Sequence, residues 1–155
     1  MLIGLISDTH GLLRPGVHEA LAGVELILHA GDVGGPEILA ELALIAPVHA
    51  VCGNCDDPAE FGLVPERTLT LAGLRVHVSH GHELGRPKPA ELAAAYDADV
   101  IVYGHTHMQL VTWVGETLVV NPGAAGPRRF DLLPSVARLR LENGVAAVEL
   151  VPLAG

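Results

Sequence analysis

Two histidines, His105 and His107, stand one residue apart directly after a short apolar run at residues 99–103. The run is rich in β-branched residues and is typical of a buried strand. In extended backbone the side chains at positions i and i+2 point to the same side, so both imidazoles would lie on one side of the strand end. Two imidazoles supply half of a transition-metal site. The remaining ligands must come from elsewhere in the chain.

Four other strand-like runs also end in residues that can bind a metal. The full set of candidates is Asp8, His10, Asp32, Asn54, His80, His105 and His107. Ligands of open α/β sheets gather at the carboxyl ends of the strands, so these loops should meet in one crevice. Each motif alone is more often an ordinary turn in left-handed or capping geometry. It is their repetition at five strand ends that predicts a site.

The types and number of these side chains indicate the chemistry. Carboxylate, amide oxygen and imidazole suit borderline-to-hard divalent ions. Seven side chains are too many for one ion that also leaves room for water, whereas two ions that share one bridging carboxylate fit the number. Such a pair can lower the pKa of a bound water and stabilise an in-line displacement at phosphorus. The sequence therefore predicts metal-assisted hydrolysis of a phosphate ester.

The other histidines lack a second ligand-type residue beside them. We interpret four of them as ordinary half-buried or surface imidazoles: His18, His29, His49 and His77. His82 is intermediate, because it follows His80 by two residues in the same loop. We expect it to line the site without being a ligand.

Two cysteines, Cys52 and Cys55, form a lone Cys-x-x-Cys pair. A zinc knuckle needs two further ligands at similar spacing, and a thioredoxin-like redox pair normally opens a helix. Here Gly53 and Asn54 lie between the cysteines and two aspartates follow, which is typical of a loop. A redox role remains the less favoured alternative, and no disulfide framework is predicted.

The elements that must position these residues alternate between strand and helix in the first third of the chain. The pattern predicts strands at 2–7, 24–29 and 48–52 and helices at 16–22 and 36–45. Short steps of this kind are typical of a parallel sheet with crossover helices. The second helix is apolar almost all round, so we expect it to be well covered.

The rest of the chain favours hairpins. Strands are predicted at 68–71, 74–79, 99–103, 109–114, 117–121, 136–141 and 145–151, with one helix at 89–96. The turn Asn143-Gly144 is the strongest short-range hairpin signal among them. We expect two packed sheets with helices on the outer faces, in a single domain that spans residues 1–155.

Composition limits the partners. The 155 residues carry a formal charge of −9 and include one lysine, which argues against binding along a long nucleic acid. A small anionic substrate is still compatible, because bound divalent ions can reverse the local charge. The sequence has no membrane-length apolar run and no basic secretory start, so we expect a cytoplasmic protein without membrane association. Half of the residues are apolar, which would allow a homo-oligomer.

Five motifs together resemble those of the calcineurin-like metallophosphoesterases. They are Asp8-Thr9-His10, Gly31-Asp32, Gly53-Asn54-Cys55-Asp56, His80-Gly81-His82 and Gly104-His105-Thr106-His107, in that order. The closest similarity is to the small single-domain phosphodiesterases of this superfamily, and Asn121-Pro122-Gly123-Ala124 matches three of four positions of a further motif. The resemblance implies a four-layer α/β/β/α sandwich of two mixed sheets flanked by helices.

The resemblance also implies a role for each ligand. It places Asp8, His10 and His107 on a first metal ion. It places Asn54, His80 and His105 on a second, with Asp32 between the two ions. A hydroxide that bridges the ions would be the nucleophile, so no side chain is expected to form a covalent intermediate. We expect two divalent ions per chain, with manganese favoured and iron, zinc, nickel and cobalt as competitors.

One position departs from the pattern. In the phosphoprotein phosphatase branch a histidine that protonates the leaving group follows the asparagine, and Cys55 stands there in this chain. A thiol is a poor proton donor to an alkoxide. We therefore expect good leaving groups to be favoured, with His82 as a substitute acid beside Asp32 and Asn54 in the catalytic set.

The expected activity is that of a metal-dependent phosphodiesterase that acts on a small phosphoester. A phosphomonoesterase that uses the same site is one alternative. Another is a metal-binding scaffold similar to the retromer subunit that shares this fold, because fold alone does not fix function.

Overall fold

Ten strands build two five-stranded sheets in the computed structural model, which describes residues 1–57, 59, 63–129 and 131–153. In chain order the strands are β1 Leu2–Ile6, β2 Leu26–His29, β3 Val48–Ala50, β4 Glu66–Leu71, β5 Leu74–Ser79, β6 Val100–Val102, β7 Leu110–Val114, β8 Thr117–Asn121, β9 Ser135–Glu142 and β10 Val145–Pro152. The described helices are α1 Gly16–Ala20, α2 Pro36–Leu42 and α3 Pro89–Ala95, with a 3₁₀ turn at His82–Leu84.

Both sheets are mixed. The first has the order β10-β9-β1-β2-β3, and the second has the order β4-β5-β6-β8-β7. β1 pairs in parallel with β2 and antiparallel with β9, so it lies at the centre of the first sheet. β6 lies at the centre of the second sheet, parallel to both β5 and β8. The strands whose ends carry the predicted ligands are therefore parallel neighbours within each sheet.

Three apolar cores lie between four layers. The largest fills the space between the two sheets, where Ile3 and Leu5 of β1 face the second sheet. Ile6, on the opposite face of β1, packs with Val17 of α1 and Leu42 of α2. The third core joins Leu92 of α3 to the outer face of the second sheet. The predicted α/β/β/α sandwich is confirmed.

The first helix is shorter than predicted. It ends at Ala20 instead of residue 22, because Leu21 has φ −104° and ψ 15° and so leaves the helical region. Gly23 then adopts a φ of +82°, which a glycine tolerates without strain.

The second helix also stops early, at Leu42 instead of residue 45. The N–H of Leu44 bonds to the carbonyl of Glu41 at 3.1 Å and that of Ile45 bonds to Leu42 at 2.9 Å. These i to i−3 bonds tighten the chain into a turn. The expectation that this helix is well covered was wrong, since Ile38 and Leu42 are its buried residues and the nearby Leu44 is 81% exposed.

The strand predictions agree with the structure to within two residues at each end, and both ends of β5 and β8 are as predicted. β3 ends at Ala50 instead of residue 52 because Val51 forms only an isolated bridge, with Val64. The hairpin turn at Asn143-Gly144 is present, with both residues at positive φ. No helix among the described residues is both long and apolar enough to cross a bilayer.

Candidate metal centre

The carboxyl ends of β1, β2, β5 and β6 bring ligand-type side chains together at one edge of the sandwich. Three groups have ligand atoms within 4.8 Å of one another: Asp8, His10 and His107; Asp8, Asp32 and His80; and His10, Asp32 and Cys55. Five of the seven predicted ligands belong to these groups. Cys55 belongs to the third, although we did not predict it as a ligand.

Asp8 and Asp32 lie at the centre of the cluster. Asp8 Oδ1 is 3.7 Å from His10 Nε2, 3.8 Å from His80 Nε2 and 3.4 Å from His107 Nε2. Asp32 Oδ2 is 3.6 Å from His10 Nε2 and 3.2 Å from His80 Nε2. Both carboxylates therefore present one oxygen to imidazoles that come from both sheets.

The other oxygen of each carboxylate is held by the fold. Asp8 Oδ2 accepts a hydrogen bond from Ser7 Oγ at 2.7 Å and one from the backbone N–H of His105 at 3.1 Å. Asp32 Oδ1 accepts a hydrogen bond from the backbone N–H of Cys55 at 2.8 Å. These bonds fix each carboxylate so that its free oxygen points into the cluster.

His80 provides the clearest sign that a cation fits here. Its Nδ1 is 2.8 Å from the carbonyl of Ala30, and an oxygen there can only accept, so Nδ1 carries the proton. In a neutral ring Nε2 would then present a lone pair to the carboxylates of Asp8 and Asp32. That arrangement is repulsive unless a proton or a metal ion lies between these atoms.

The buried polar atoms of the cluster support the same conclusion. Asp8 Oδ1, His10 Nε2 and His80 Nε2 are buried and have no hydrogen-bond partner within the described part of the chain. Buried polar groups without partners are costly and rare in native proteins. Because these three atoms face one another and all are metal-ligating types, the donor set fits a divalent ion.

Both carboxylates of the cluster carry their charge before any ion binds. Burial by itself would raise the pKa of Asp8, but the neighbouring His10 and His107 and the charge of His80 hold it well below its usual range. Burial likewise opposes ionisation of Asp32, yet contacts with His80 and the Cys55 N–H lower its pKa. Both carboxylates are therefore ionised at neutral pH and can bind a cation.

The backbone is strained at the predicted ligands. Of the seven non-glycine residues at positive φ among the described ones, five are predicted ligands: Asp8, His10, Asp32, His105 and His107. The other two, Ala72 and Asn143, lie in hairpin turns. Left-handed backbone costs about 1 kcal/mol per residue outside glycine, so the fold stabilises this conformation elsewhere.

Two glycines allow the loops to approach the carboxylates. A Cβ at Gly104 would lie 2.0 Å from Ser7 Oγ, and one at Gly53 would lie 2.1 Å from Asp32 Oδ1. Both motifs therefore need glycine for close packing, in addition to any requirement of the turn.

Two predicted ligands lie at the margin of the cluster. The ring of His105 is 5.2 Å from that of His80 and 6.2 Å from that of His82, between centroids. Asn54 is exposed, and its side-chain amide contacts Cys55 Sγ at 3.6 Å. The metal-binding roles of both residues stay predictions, as does the catalytic role of His82, whose ring is 5.3 Å from that of His80.

Asn121 supports the loop that carries His105 and His107, a role that the sequence did not reveal. Its side-chain amide donates to the carbonyl of Gly104 at 3.2 Å and to Thr106 Oγ1 at 3.1 Å. Its Oδ1 accepts from the N–H of Gly123 at 2.9 Å. The Asn-Pro-Gly motif marks this residue in the sequence, but the contacts of its side chain with the histidine loop become visible only in the fold.

Our interpretation of His29 as half-buried or exposed was wrong. The ring is fully buried, and its Nδ1 accepts a hydrogen bond from the N–H of Gly31 at 3.1 Å. Nε2 therefore carries the proton and donates to Thr9 Oγ1 at 3.0 Å, which in turn donates to the carbonyl of Val33. Burial lowers the pKa of His29 to about 4. This neutral imidazole joins the loops after β1 and β2.

The same interpretation was wrong for His77, which is only 3% exposed. Its ring stacks on Tyr96 with centroids 3.8 Å apart, and its Nδ1 lies 3.0 Å from Thr68 Oγ1. His77 is thus a packing residue between β5 and the segment after α3.

Residues 1–144 match the family model of the calcineurin-like phosphoesterase superfamily domain. The chain belongs to this superfamily. A probable metallophosphoesterase of Methanothermobacter thermautotrophicus is 36% identical over 160 residues, and the alignment covers 97% of this chain and 92% of the relative. The phosphodiesterase YfcE of Escherichia coli is 32% identical over 187 residues, with 98% and 100% covered.

The fold of this calcineurin-like phosphoesterase is also similar to that of Vps29 from Chaetomium thermophilum. The two structures superpose with a TM-score of 0.81 and 23% sequence identity, and the alignment covers 97% of each chain. At this identity the likeness shows the fold alone. The superfamily is metal-dependent, and the Asp and His groups of this member can bind metal.

Proposed function

We propose that the chain is a metal-dependent phosphodiesterase that hydrolyses a small phosphoester by means of a hydroxide held between two divalent ions. The observation that carries this proposal is the set of facing, unpartnered atoms Asp8 Oδ1, His10 Nε2 and His80 Nε2. Relatives named phosphodiesterase, at 30% and 32% identity, support a diester as the substrate.

The proposed ligands divide between two ions. Asp8, His10 and His107 would hold the first, and Asn54, His80 and His105 would hold the second, with Asp32 between them. The contact of Asp8 Oδ1 with His80 Nε2 at 3.8 Å indicates that Asp8 also lies close to the second position. When bound, the ions supply a nucleophile at neutral pH and positive charge for the phosphate oxygens.

The chain's own residues hold these ligands before the substrate arrives. Ser7 and the His105 N–H orient Asp8, the Cys55 N–H orients Asp32, and the Ala30 carbonyl fixes the tautomer of His80. A centre that is already ordered has less reorganisation to complete during the reaction.

Protonation of the leaving group is the weak part of this site. Burial and the nearby Asp32 raise the pKa of the Cys55 thiol, so this group is a poor acid. His82 is the next candidate, since its side chain is 36% exposed beside the cluster and can reach solvent. We therefore propose that aryl esters, which need little protonation, are hydrolysed faster than alkyl esters.

The test is hydrolysis of bis(4-nitrophenyl) phosphate and 4-nitrophenyl phosphate by metal-stripped protein titrated with Mn²⁺. We expect diester turnover to appear with about two equivalents of metal and to exceed monoester turnover. Asp32→Asn should lose turnover on the order of a thousandfold, because it removes a charged ligand from the cluster.

A matched control is Asp97→Asn, since Asp97 is an exposed aspartate that pairs with Arg75 on the surface. It should turn over like the unsubstituted chain. Saturation at one equivalent of metal would refute the dinuclear part of the proposal. Faster monoester than diester turnover would favour the phosphomonoesterase alternative.

Manganese is our proposed ion because the site mixes imidazole with carboxylate and amide oxygen. Titration of the same stripped protein with iron, zinc, nickel and cobalt under matched conditions tests this choice. If diester turnover is higher with one of these ions than with manganese, that ion takes the place of manganese as the proposed cofactor.

The second candidate function is a metal-binding scaffold without turnover. The likeness in fold to Vps29 supports it. Tight metal binding together with the absence of turnover of both esters would favour this candidate over the enzyme.

A further inference from the structure

A cleft of about 540 Å³ opens directly beside the metal centre, and His107 is part of its wall. Met108, the next residue, forms another part of the wall, and Leu133 lines it from the segment before β9. Leu150 of β10 closes it on the side of the first sheet. The cleft and the proposed centre share His107, whose Nε2 is 3.4 Å from Asp8 Oδ1.

The walls of this cleft are largely apolar and reach solvent. Met108 is 54% exposed and Leu133 is 55% exposed, and Leu132 and Pro152 also line the space. Apolar side chains that converge on a concave surface next to reactive groups are typical of a binding site for an organic group.

The wall beside the centre is held in place by hydrogen bonds. The N–H of Met108 donates to Thr106 Oγ1 at 3.2 Å, and Thr106 Oγ1 also accepts from Asn121 at 3.1 Å. Met108 is thus tied to the same network that positions His107. An organic group in the cleft would lie at a fixed place relative to the metal ligands.

The charge of the cleft restricts what it can bind. The polar residues of its lining are His107, Gln109 and the acidic Asp131, and the described lining includes no lysine or arginine. A carboxylate or second phosphate on the organic part of the substrate would meet the like charge of Asp131 there, and the described lining offers no basic side chain to balance it.

We propose that this cleft binds an ester group of the substrate and that this group is apolar and uncharged, such as an aryl or alkyl group. The proposal rests on the proposed phosphodiesterase function and adds the class of substrate to it. A diester with a second anionic group on its organic part would be a poor substrate.

The first test measures binding without turnover, so it does not depend on catalysis. Calorimetry gives the dissociation constants of phenylphosphonate, methylphosphonate and 4-carboxyphenylphosphonate for the protein loaded with Zn²⁺. We expect the phenyl compound to bind about tenfold more tightly than the methyl compound. The carboxyphenyl compound should bind about fivefold more weakly than the phenyl compound. Equal affinities would overturn the proposal.

Asp131→Asn tests the charge directly. It should bring the affinity for the carboxyphenyl compound to within about twofold of that for the phenyl compound, because the like charge is gone. The matched control is Glu116→Gln, an exposed acid in the turn between β7 and β8, which should leave the ratio of the two affinities unchanged. An unchanged ratio in Asp131→Asn would refute the role of this residue.

The location is tested with methyl-labelled methionine. The chain has two methionines, and Met1 packs on the core between the sheets and is not among the described residues that line the cleft. Phenylphosphonate should shift the NMR methyl signal of Met108 and leave that of Met1 in place, while methylphosphonate should move neither by a comparable amount. A Met108 methyl signal that does not shift when phenylphosphonate is added would show that the phenyl group binds outside the cleft and would refute the proposal. A signal that moves only with protein concentration would instead make the cleft a contact between two copies of the chain.

These outcomes separate the two proposals. Absence of diester turnover together with phenylphosphonate binding at Met108 would refute the proposed enzyme activity and support the cleft as a binding site for an apolar group. Diester turnover together with equal affinities for the three phosphonates would support the enzyme activity and refute this role of the cleft.

Discussion

The two sheets contribute different chemistry to the proposed metal centre. Loops after β1 and β2 of the first sheet supply both carboxylates, Asp8 and Asp32, whereas loops after β5 and β6 of the second sheet supply imidazoles, including His80 and His107. His10 is the imidazole that the first sheet adds. Neither sheet alone holds a mixed set large enough for two ions, so the centre depends on the packing of the sandwich.

The loops of both sheets are joined by backbone bonds, but different side chains support them. In the first sheet, the N–H of Asp8 bonds to the carbonyl of Gly31 at 3.0 Å and that of His10 bonds to the carbonyl of Asp32 at 2.9 Å. In the second sheet, the N–H of Gly104 bonds to the carbonyl of His80 at 3.0 Å. The supporting side chain is a buried imidazole, His29, in the first sheet and an amide, Asn121, in the second.

The largest expected effect comes from removing the imidazole that links the two halves. His80→Gln deletes Nε2, which faces Asp8 and Asp32, and should lower Mn²⁺-dependent diester turnover on the order of a thousandfold. It should also weaken metal binding, measured by calorimetry.

The matched comparison is His77→Gln in β5, the strand that ends just before His80, which removes a packing imidazole three residues earlier. It should cost about 1–2 kcal/mol of unfolding free energy and leave metal affinity within about twofold. Equal loss of metal binding in both variants would break the distinction between ligand and packing histidines.

A second prediction concerns the carboxylate half, where buried His29 joins two loops in its neutral form. The unfolded ring has a pKa of about 6.5 and the folded ring one of about 4, so between these values only the unfolded state binds a proton. Stability from this group is fully present above pH 6.5 and should fall by about 3 kcal/mol as pH drops towards 4.

Ring ¹⁵N shifts of His29 should show the neutral Nε2–H tautomer down to pH 5 in the folded protein. A cationic ring at pH 6 would contradict both the tautomer and the expected loss of stability.

A third prediction returns to the imidazole half. If His82 protonates the leaving group, His82→Ala should lower kcat for alkyl esters by about a hundredfold and for 4-nitrophenyl esters by only a few-fold. The measurement is a plot of log kcat against the pKa of the leaving group, which should become steeper in the variant. Parallel plots would remove His82 from the catalytic set.

The smallest expected effect tests the side-chain support of the His82 turn. Tyr96 Oη donates to Glu83 Oε1 at 2.6 Å, and Glu83 Oε2 accepts from the N–H of Gly81 at 3.1 Å. Tyr96→Phe removes the first bond and should lower kcat for alkyl esters by about threefold with KM unchanged, at a cost of about 1 kcal/mol in stability. A change in KM alone would show that Tyr96 affects binding instead.

Local pattern was sufficient to place the strand ends to within two residues, because a short apolar run followed by Asp, His or Asn marks both the end of a strand and a candidate ligand. Parallel neighbours then had to bring Asp8 and Asp32 together. The burial of His29 could not be predicted, since its partners Thr9 and Gly31 belong to two different loops. The cleft beside His107 could not be predicted either, because its lining residues are far apart in the sequence. Leu133 comes from the segment before β9 and Leu150 from β10.

The topology of the first sheet also affects how the chain folds as it is synthesised. β1 is central, yet one of its two partners is β9, with Leu2 opposite Arg140. While the ribosome makes the intervening segments, Ile3 and Leu5 belong to a strand with one unpaired edge. Completion of this sheet therefore comes after translation of the whole second sheet. A nascent chain that stalls before Ser135 should be a substrate for chaperones and prone to aggregate.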